Sequence, residues 1–226
     1  METGKRTSIL SKMKNKEIQA LREDYTQYSL DITDVEKNPI SQFEKWLQQA
    51  IDTELPEPNA FTIATVDADA KPHARVVLLK GIEEDGFIFY TNYESDKARD
   101  MAQNPNVAAC FLWLGLERQV RIEGTVEKIS RSKSEAYFKS RPVKSQIGAL
   151  ASNQSREVSS RAELEQEFEK LEAQYSNGNV PMPEQWGGYK IKPVAIEFWQ
   201  GRRSRLHDRI KYEWNGSAWT TKRLAP

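Results

Sequence analysis

Thiol and imidazole chemistry have almost nothing to work with in this chain: among 226 residues there is one cysteine, Cys110, and two histidines, His73 and His207. A lone cysteine excludes an intrachain disulfide and fits an intracellular, cytoplasmic setting. Cys110 lies in the apolar run Val107-Ala108-Ala109-Cys110-Phe111-Leu112, where it reads as a buried structural thiol. No metal site is expected. Apolar stretches are too short to span a membrane. The polar, basic stretch Met1 to Lys16 has no apolar core and reads as a loose tail rather than a signal peptide. An excess of charge is missing too: Lys and Arg number 33 and Asp and Glu 33, a formal balance of zero. Bulk attraction to nucleic acid or anionic membrane is thereby excluded as the main business, and any anion site must be a local cluster.

What is present is a series of short periodic segments without internal repeats. Residues 1–20 read as a flexible tail and 21–226 as one domain. Asn38-Pro39 followed by Ile40, Phe43, Leu47, Ala50 and Ile51 predicts a capped amphipathic helix with proline in its first turn. Glu54 to Asn59 is a stiff connector. Strands are predicted over Ala60–Asp67, His73–Lys80 and Phe87–Thr91, with short polar turns that imply antiparallel hairpins. Ser95 is placed to cap a short helix running to about Gln103. A further hairpin, Val107–Trp113 with Arg118–Ile129, precedes helices over about Ser132–Ser140 and Ser160–Tyr175. Strands return over Gly188–Trp199, Leu206–Trp214 and Ala218–Arg223. The pattern predicts an α+β domain on a closed or partly closed antiparallel barrel with peripheral helices.

The segment Ile196-Glu-Phe-Trp-Gln-Gly-Arg-Arg-Ser-Arg-Leu-His-Asp-Arg209 is the most informative. In an extended strand Arg205, His207 and Arg209 would share one face, with Leu206 and Asp208 on the other. Such a basic face is either a solvated edge that deters aggregation or an anion site, since guanidinium forks suit phosphate and a histidine carries a proton near neutral pH.

This string resembles the carboxyl-terminal signature of the pyridoxine (pyridoxamine) 5′-phosphate oxidase family: aliphatic, Glu, aromatic, Trp, a short spacer, then Arg-aliphatic-His-Asp-Arg. Ile196, Glu197, Phe198, Trp199, Arg205, Leu206, His207, Asp208 and Arg209 all fit. With the strings that follow, the resemblance covers the chain from about Leu21 onward. It implies a split β-barrel that binds FMN at a homodimer interface, and oxidation of pyridoxine 5′-phosphate or pyridoxamine 5′-phosphate by O2 to pyridoxal 5′-phosphate, with release of H2O2 and, from the amine, NH3.

For the cofactor, the resemblance implies contacts from Arg75, Val76 and Lys80 in Arg75-Val-Val-Leu-Leu-Lys80, from Tyr90 and Thr91, and from Lys97 near a helix start. Gln119 resembles a glutamine that bonds the flavin ring, as an amide both donates and accepts. Gln154 and Ser155 resemble a pair that reaches FMN across the interface, and Trp199 and Arg209 complete the set. Arg75 and Lys80, five residues apart, would fall on opposite faces of a regular strand, so a bulge or a strand end is required. Tyr137, Arg141 and Ser145 resemble the family's clamp on the substrate phosphate, with Lys80 also reaching it. Arg205 and His207 resemble the residues facing the pyridine ring, the catalytic candidates. Arg22 and Tyr25 resemble a segment that folds over the site.

One position departs from the family. Relatives commonly carry two adjacent basic residues for the FMN phosphate, whereas this chain has Asp96-Lys97. Asp96 is expected to turn away and favour the helix start, with Arg99 one turn on supplying positive charge. Competing readings are a flavin reductase or haem-handling protein on the same barrel, a nucleic-acid module using Arg202–Lys211, and a silent carrier of phosphorylated vitamin B6.

Overall fold

The computed structural model describes residues 15–21 and 24–226, with side chains from residue 18 onward. A long strand, β7 (Trp186–Gln200), is the element to which the rest is fitted. One of its edges pairs with β6 (Arg118–Lys128) from Tyr189 to Gln200. Its other edge is shared: residues 186–191 take β4 (Gly86–Asn92), and residues 195–200 take β8 (Asp208–Trp214). From β6 the sheet runs on through β5 (Asn106–Trp113) and β1 (Ala60–Val66) to β2 (Pro72–Leu78), which returns against β4. Beyond β4 lies β3 (Gly81–Glu83), and β9 (Trp219–Leu224) extends β8. Each pairing is antiparallel. A sheet that curls round and forks at β7 is a split barrel, as the strand pattern predicts. The β6–β7 register shifts at Glu123/Gly124. Gly124 is needed there, because a Cβ would collide with the Lys192 carbonyl.

Helix α2 (Pro39–Asp52) plugs the barrel. The Asn38 side chain accepts from Ile40 N, and Pro39 occupies the first turn, where its missing N–H costs nothing. Its buried face sets Phe43 edge-on to Phe87 and Phe111, each 4.8 Å between ring centres, and Trp46 against Phe198 at 5.2 Å. A smaller core of Phe138, Ile147, Leu171, Val180 and Trp186 joins α4 (Arg131–Ser140), α5 (Val143–Ala151) and α6 (Arg161–Gln174) to the start of β7.

A short helix, α1 (Asn15–Ala20), lies in the described part of the amino-terminal segment. Four sequence expectations need correction. Helix α5 and strand β3 were not predicted. Ser95 stands at the N-cap of α3 (Asp96–Gln103), but its hydroxyl donates to Asn92 O and makes no capping bond. The last hairpin starts at Asp208, not Leu206, because a 3-10 turn over Arg203–Arg205 precedes it.

Candidate active site

A cleft of about 1000 Å³ opens between β2, β4, the start of α3 and the α4–α5 pair. Arg75, Val76, Lys80, Tyr90, Thr91, Lys97, Tyr137, Arg141, Ser145, Gln154 and Ser155 all line it, so most residues singled out from sequence come together. Arg75 and Lys80 share the cleft because β2 ends between them. Leu79 N donates to Asn59 O and Lys80 N to Ile88 O, both at 2.8 Å, so Lys80 stands past the strand end and strand alternation no longer applies.

Lys97 is buried, and its ammonium meets neutral oxygens alone: Thr91 Oγ1 at 3.1 Å, Ser95 Oγ at 3.3 Å and Gln154 Oε1 at 3.1 Å. Burial first, and the charge of Arg75 second, push its pKa below the ordinary lysine value, with Asp96 opposing. A buried cation facing a second cation, with no carboxylate bonded to it among the described residues, is half of an ion pair. An anion entering the cleft would meet that unpaired charge. Gln154 and Ser155, expected to act across an interface, belong to this chain's own cleft: Gln154 Oε1 also accepts from Thr91 Oγ1 (2.9 Å) and Ser155 Oγ from Asp96 N (3.3 Å). Asp96 opens α3 as expected, whereas Arg99 does not reach the cleft. Asp96 lines the cleft, while Arg99 is absent from its lining and is spent on Asp96 Oδ1 and Glu94 O.

The second cationic group is Arg141. Pro142 forces it out of α4 into extended backbone (φ −74°, ψ 150°), where it faces the cleft. Its guanidinium lies 5.0 Å from the Trp186 ring centre and 5.7 Å from Phe138. Nη1 is buried without a hydrogen-bond partner among the described residues. Burial lowers the Arg141 pKa, with Tyr137 opposing, and the group stays charged at any neutral pH. Tyr137 stacks on Tyr90 at 4.0 Å, and Tyr90 on Trp186 at 5.2 Å. Trp186 is a cleft residue that the sequence reading missed. Its signal was an aromatic residue directly before Gly187-Gly188, where Gly188 leaves room for the Tyr90 ring.

Gln119, Trp199, Arg205, His207, Arg209 and Tyr25 do not line this cleft. Gln119 opposes Trp199 and Trp199 opposes Arg209 across β6, β7 and β8, which puts the three in a row on one sheet face. His207 lies 4.6 Å from the Trp199 ring centre, and Tyr25 packs edge-on to both, at 5.7 and 5.8 Å. The strap carrying Tyr25 is pinned by Glu117, whose carboxylate accepts from Thr26 N and Gln27 N, both at 3.1 Å. Arg22 lies outside the described residues.

The shared strand face expected for Arg205, His207 and Arg209 is not formed. Ser204 and Arg205 both have positive φ (57° and 61°), so the chain turns there and only Arg209 is in β8. Arg209 forks onto Glu197 at 2.9 and 3.0 Å. His207 Nδ1 accepts from Arg202 N (3.1 Å), which leaves the proton of the neutral ring on Nε2. Burial first, then Arg205, lower its pKa, with Asp208 opposing.

Fold and cleft together define a split barrel whose cleft is lined by cationic side chains. A family model described as pyridoxamine 5′-phosphate oxidase matches residues 47–175, and one described as the pyridoxine 5′-phosphate oxidase C-terminal dimerisation region matches residues 186–226. The chain is 57% identical over 207 residues to a pyridoxine/pyridoxamine 5′-phosphate oxidase from Paraburkholderia phymatum, covering 91% of this chain and 97% of that one. It is 54% identical over 209 residues to the protein of that name from Acaryochloris marina, covering 92% and 95%. Among solved structures, PhzG from Burkholderia lata 383, in complex with tetrahydrophenazine-1-carboxylic acid, is similar with a TM-score of 0.85 at 28% identity, over 90% of this chain and 100% of that one. The chain belongs to the pyridoxamine 5′-phosphate oxidase family and is an oxidoreductase.

Proposed function

We propose that the protein oxidises pyridoxine 5′-phosphate and pyridoxamine 5′-phosphate with O2 to pyridoxal 5′-phosphate, releasing H2O2 and, from the amine, NH3, with FMN as cofactor. The observation that carries this reading is a single cleft holding two cations, Lys97 and the Arg141 guanidinium, without anionic partners among the described residues. Two phosphorylated molecules, cofactor and substrate, supply two anions. When bound, FMN supplies the two-electron redox chemistry that no side chain here can perform.

Arg75 and Lys97 hold the FMN phosphate, and Thr91, Gln154 and Ser155 fix the side chains around it. Arg141 would take the substrate phosphate with Tyr137 and Ser145, its guanidinium held over the Trp186 ring. Gln119, Trp199, Arg209, Arg205 and His207 form a second half-site. In a homodimer each copy lends that half to the other's cleft, in keeping with a matched segment that carries the description of a dimerisation region. His207 then offers a neutral imidazole, and Arg205 a charge, to the pyridine ring. The setting is cytoplasmic, in keeping with the lone cysteine; no described helix is long and apolar enough to cross a membrane.

The absorption spectrum of the purified protein tests the reading. A flavin spectrum that bleaches on anaerobic addition of pyridoxine 5′-phosphate is expected, and acid should release FMN. Released FAD, or a spectrum unmoved by substrate, overturns it. Arg205→Ala and His207→Ala are each expected to lower turnover at least tenfold while the flavin stays bound, as lost contacts to the reacting ring should. Flavin loss in either variant would move that residue to the cofactor side.

A further inference from the structure

Behind the cleft wall lies a carboxylate for which neither the fold nor the proposed chemistry has yet given a reason. Asp100 sits on α3 one turn beyond Lys97 and is buried. Its Oδ2 accepts the Thr65 hydroxyl proton at 2.6 Å, meets His73 Nδ1 at 3.1 Å and lies 3.7 Å from Arg75 Nη2. Thr65, fully buried on β1, in turn accepts from Arg75 Nη1 at 2.6 Å. A hydroxyl has one proton to give, and an ionised carboxylate can only accept. With that proton committed to Asp100, the lone pairs of Thr65 are left for Arg75, so the chain Arg75 to Thr65 to Asp100 has one sense only. Burial works to raise the Asp100 pKa, but bonds from Thr65 and His73 and the charges of His73 and Arg75 outweigh it and hold the carboxyl ionised.

The placement answers a difficulty in the site. Arg75 and Lys97 repel each other in the same cleft, and Lys97 has neutral partners alone. Asp100 is one helical turn from Lys97 and is bonded through Thr65 to Arg75, so it ties α3 to the β1–β2 hairpin and fixes where the two cations stand. We propose that Asp100, acting through Thr65, is a positioning residue that aims Arg75 at the anion taken between Arg75 and Lys97. This rests on the reading above that the anion is the FMN phosphate. His73 braces the same carboxylate from β2.

Full-length apoprotein is titrated with FMN and with riboflavin, which lacks the phosphate, following quenching of flavin fluorescence. Thr65→Val removes the acceptor for Arg75 with little change of shape. Asp100→Asn keeps the shape and removes the carboxylate charge that binds the Thr65 proton and lies 3.7 Å from Arg75 Nη2. Each is expected to weaken FMN about tenfold, the loss of one hydrogen bond to a charged group, and to leave riboflavin within about twofold. Thr65→Ser should restore FMN affinity. In an Arg75→Ala background Thr65→Val should have no further effect, because its target is gone. Equal losses for both flavins, unchanged FMN affinity, or an undiminished Thr65→Val effect in the Arg75→Ala background each overturn the proposal. If Arg75→Ala itself leaves the FMN-to-riboflavin preference intact, the phosphate reading of Arg75 falls, and the positioning role with it. Should Asp100→Asn not fold, the Thr65 variants decide the question alone.

Discussion

Lys97→Met should lower FMN affinity about a hundredfold while leaving the apoprotein as stable as the parent or more so. The two effects share one cause. The ammonium is buried among neutral oxygens and faces Arg75, so folding without an anion desolvates a charge and gains no counter-charge. Methionine fills similar space without that cost. The neighbouring acceptors keep a partner, since Thr91 Oγ1 already donates to Gln154 Oε1 at 2.9 Å. With FMN present the balance reverses: a charge-assisted contact to phosphate is worth about 1.5–3 kcal/mol, and here it also relieves the Arg75–Lys97 repulsion. Flavin titration and thermal melting of apo and loaded protein measure both halves. The pH dependence has a definite sign. A lysine whose pKa is depressed on folding binds its proton better in the unfolded chain, so apoprotein stability rises with pH between the folded and unfolded values. Below the folded value the whole penalty is present, and the Met variant should lack that alkaline gain. An apoprotein markedly destabilised by the substitution would show that Lys97 is structural.

How much of this was legible beforehand depended on whether the cause was local. Asn38-Pro39 is a cap and first turn in the structure because both effects act within a few residues. The strands were legible because period-two burial survives in β1 and β5. Helix α5 was not. It begins after Pro142 and contains Gly148, its small residues make only a weak apolar stripe, and its burial of Ile147 depends on α6 and β7. The segment 205–207 was misread for the opposite reason: its alternation imitates a strand, but nothing in residue identity reveals the positive φ of Ser204 and Arg205.

For the site, the motifs named the residues and the fold decided their company. No spacing rule could say that Gln154 folds back onto Lys97, a separation of 57 residues, or that Gln119 and Trp199 line up away from Lys97. The Asp96 departure was visible as a charge of the wrong sign. Its resolution was not, because the partnership of Asp96 with Arg99 leaves Arg99 no donor role in the cleft. Trp186 escaped because a lone aromatic at a strand start is usually core, and in part it is: the residue is 7% exposed and belongs to the smaller core as well as the cleft.

Arg141→Ala should raise KM for either phosphorylated substrate by about thirtyfold to a hundredfold, with kcat changed no more than a few-fold. The guanidinium is positioned before any ligand arrives, by Pro142 on the backbone side and by Trp186 and Phe138 under its face. Its buried Nη1 lacks a partner among the described residues, so an incoming phosphate gains a charge-assisted bond and relieves an unsatisfied donor together, about 2–3 kcal/mol. The phosphate is remote from the reacting carbon, so this contact is equally strong in ground and transition states and belongs in KM. Arg141→Lys should recover little, because a point charge can neither fork nor lie flat on the Trp186 ring. Inorganic phosphate gives a second, independent reading: as a competitive inhibitor it should weaken against Arg141→Ala by a similar factor, while FMN affinity, set by Lys97 and Arg75, stays unchanged. A kcat loss at constant KM would place Arg141 at the reacting centre, and a parallel loss of FMN would mean that the cleft holds one anion site where two are assigned.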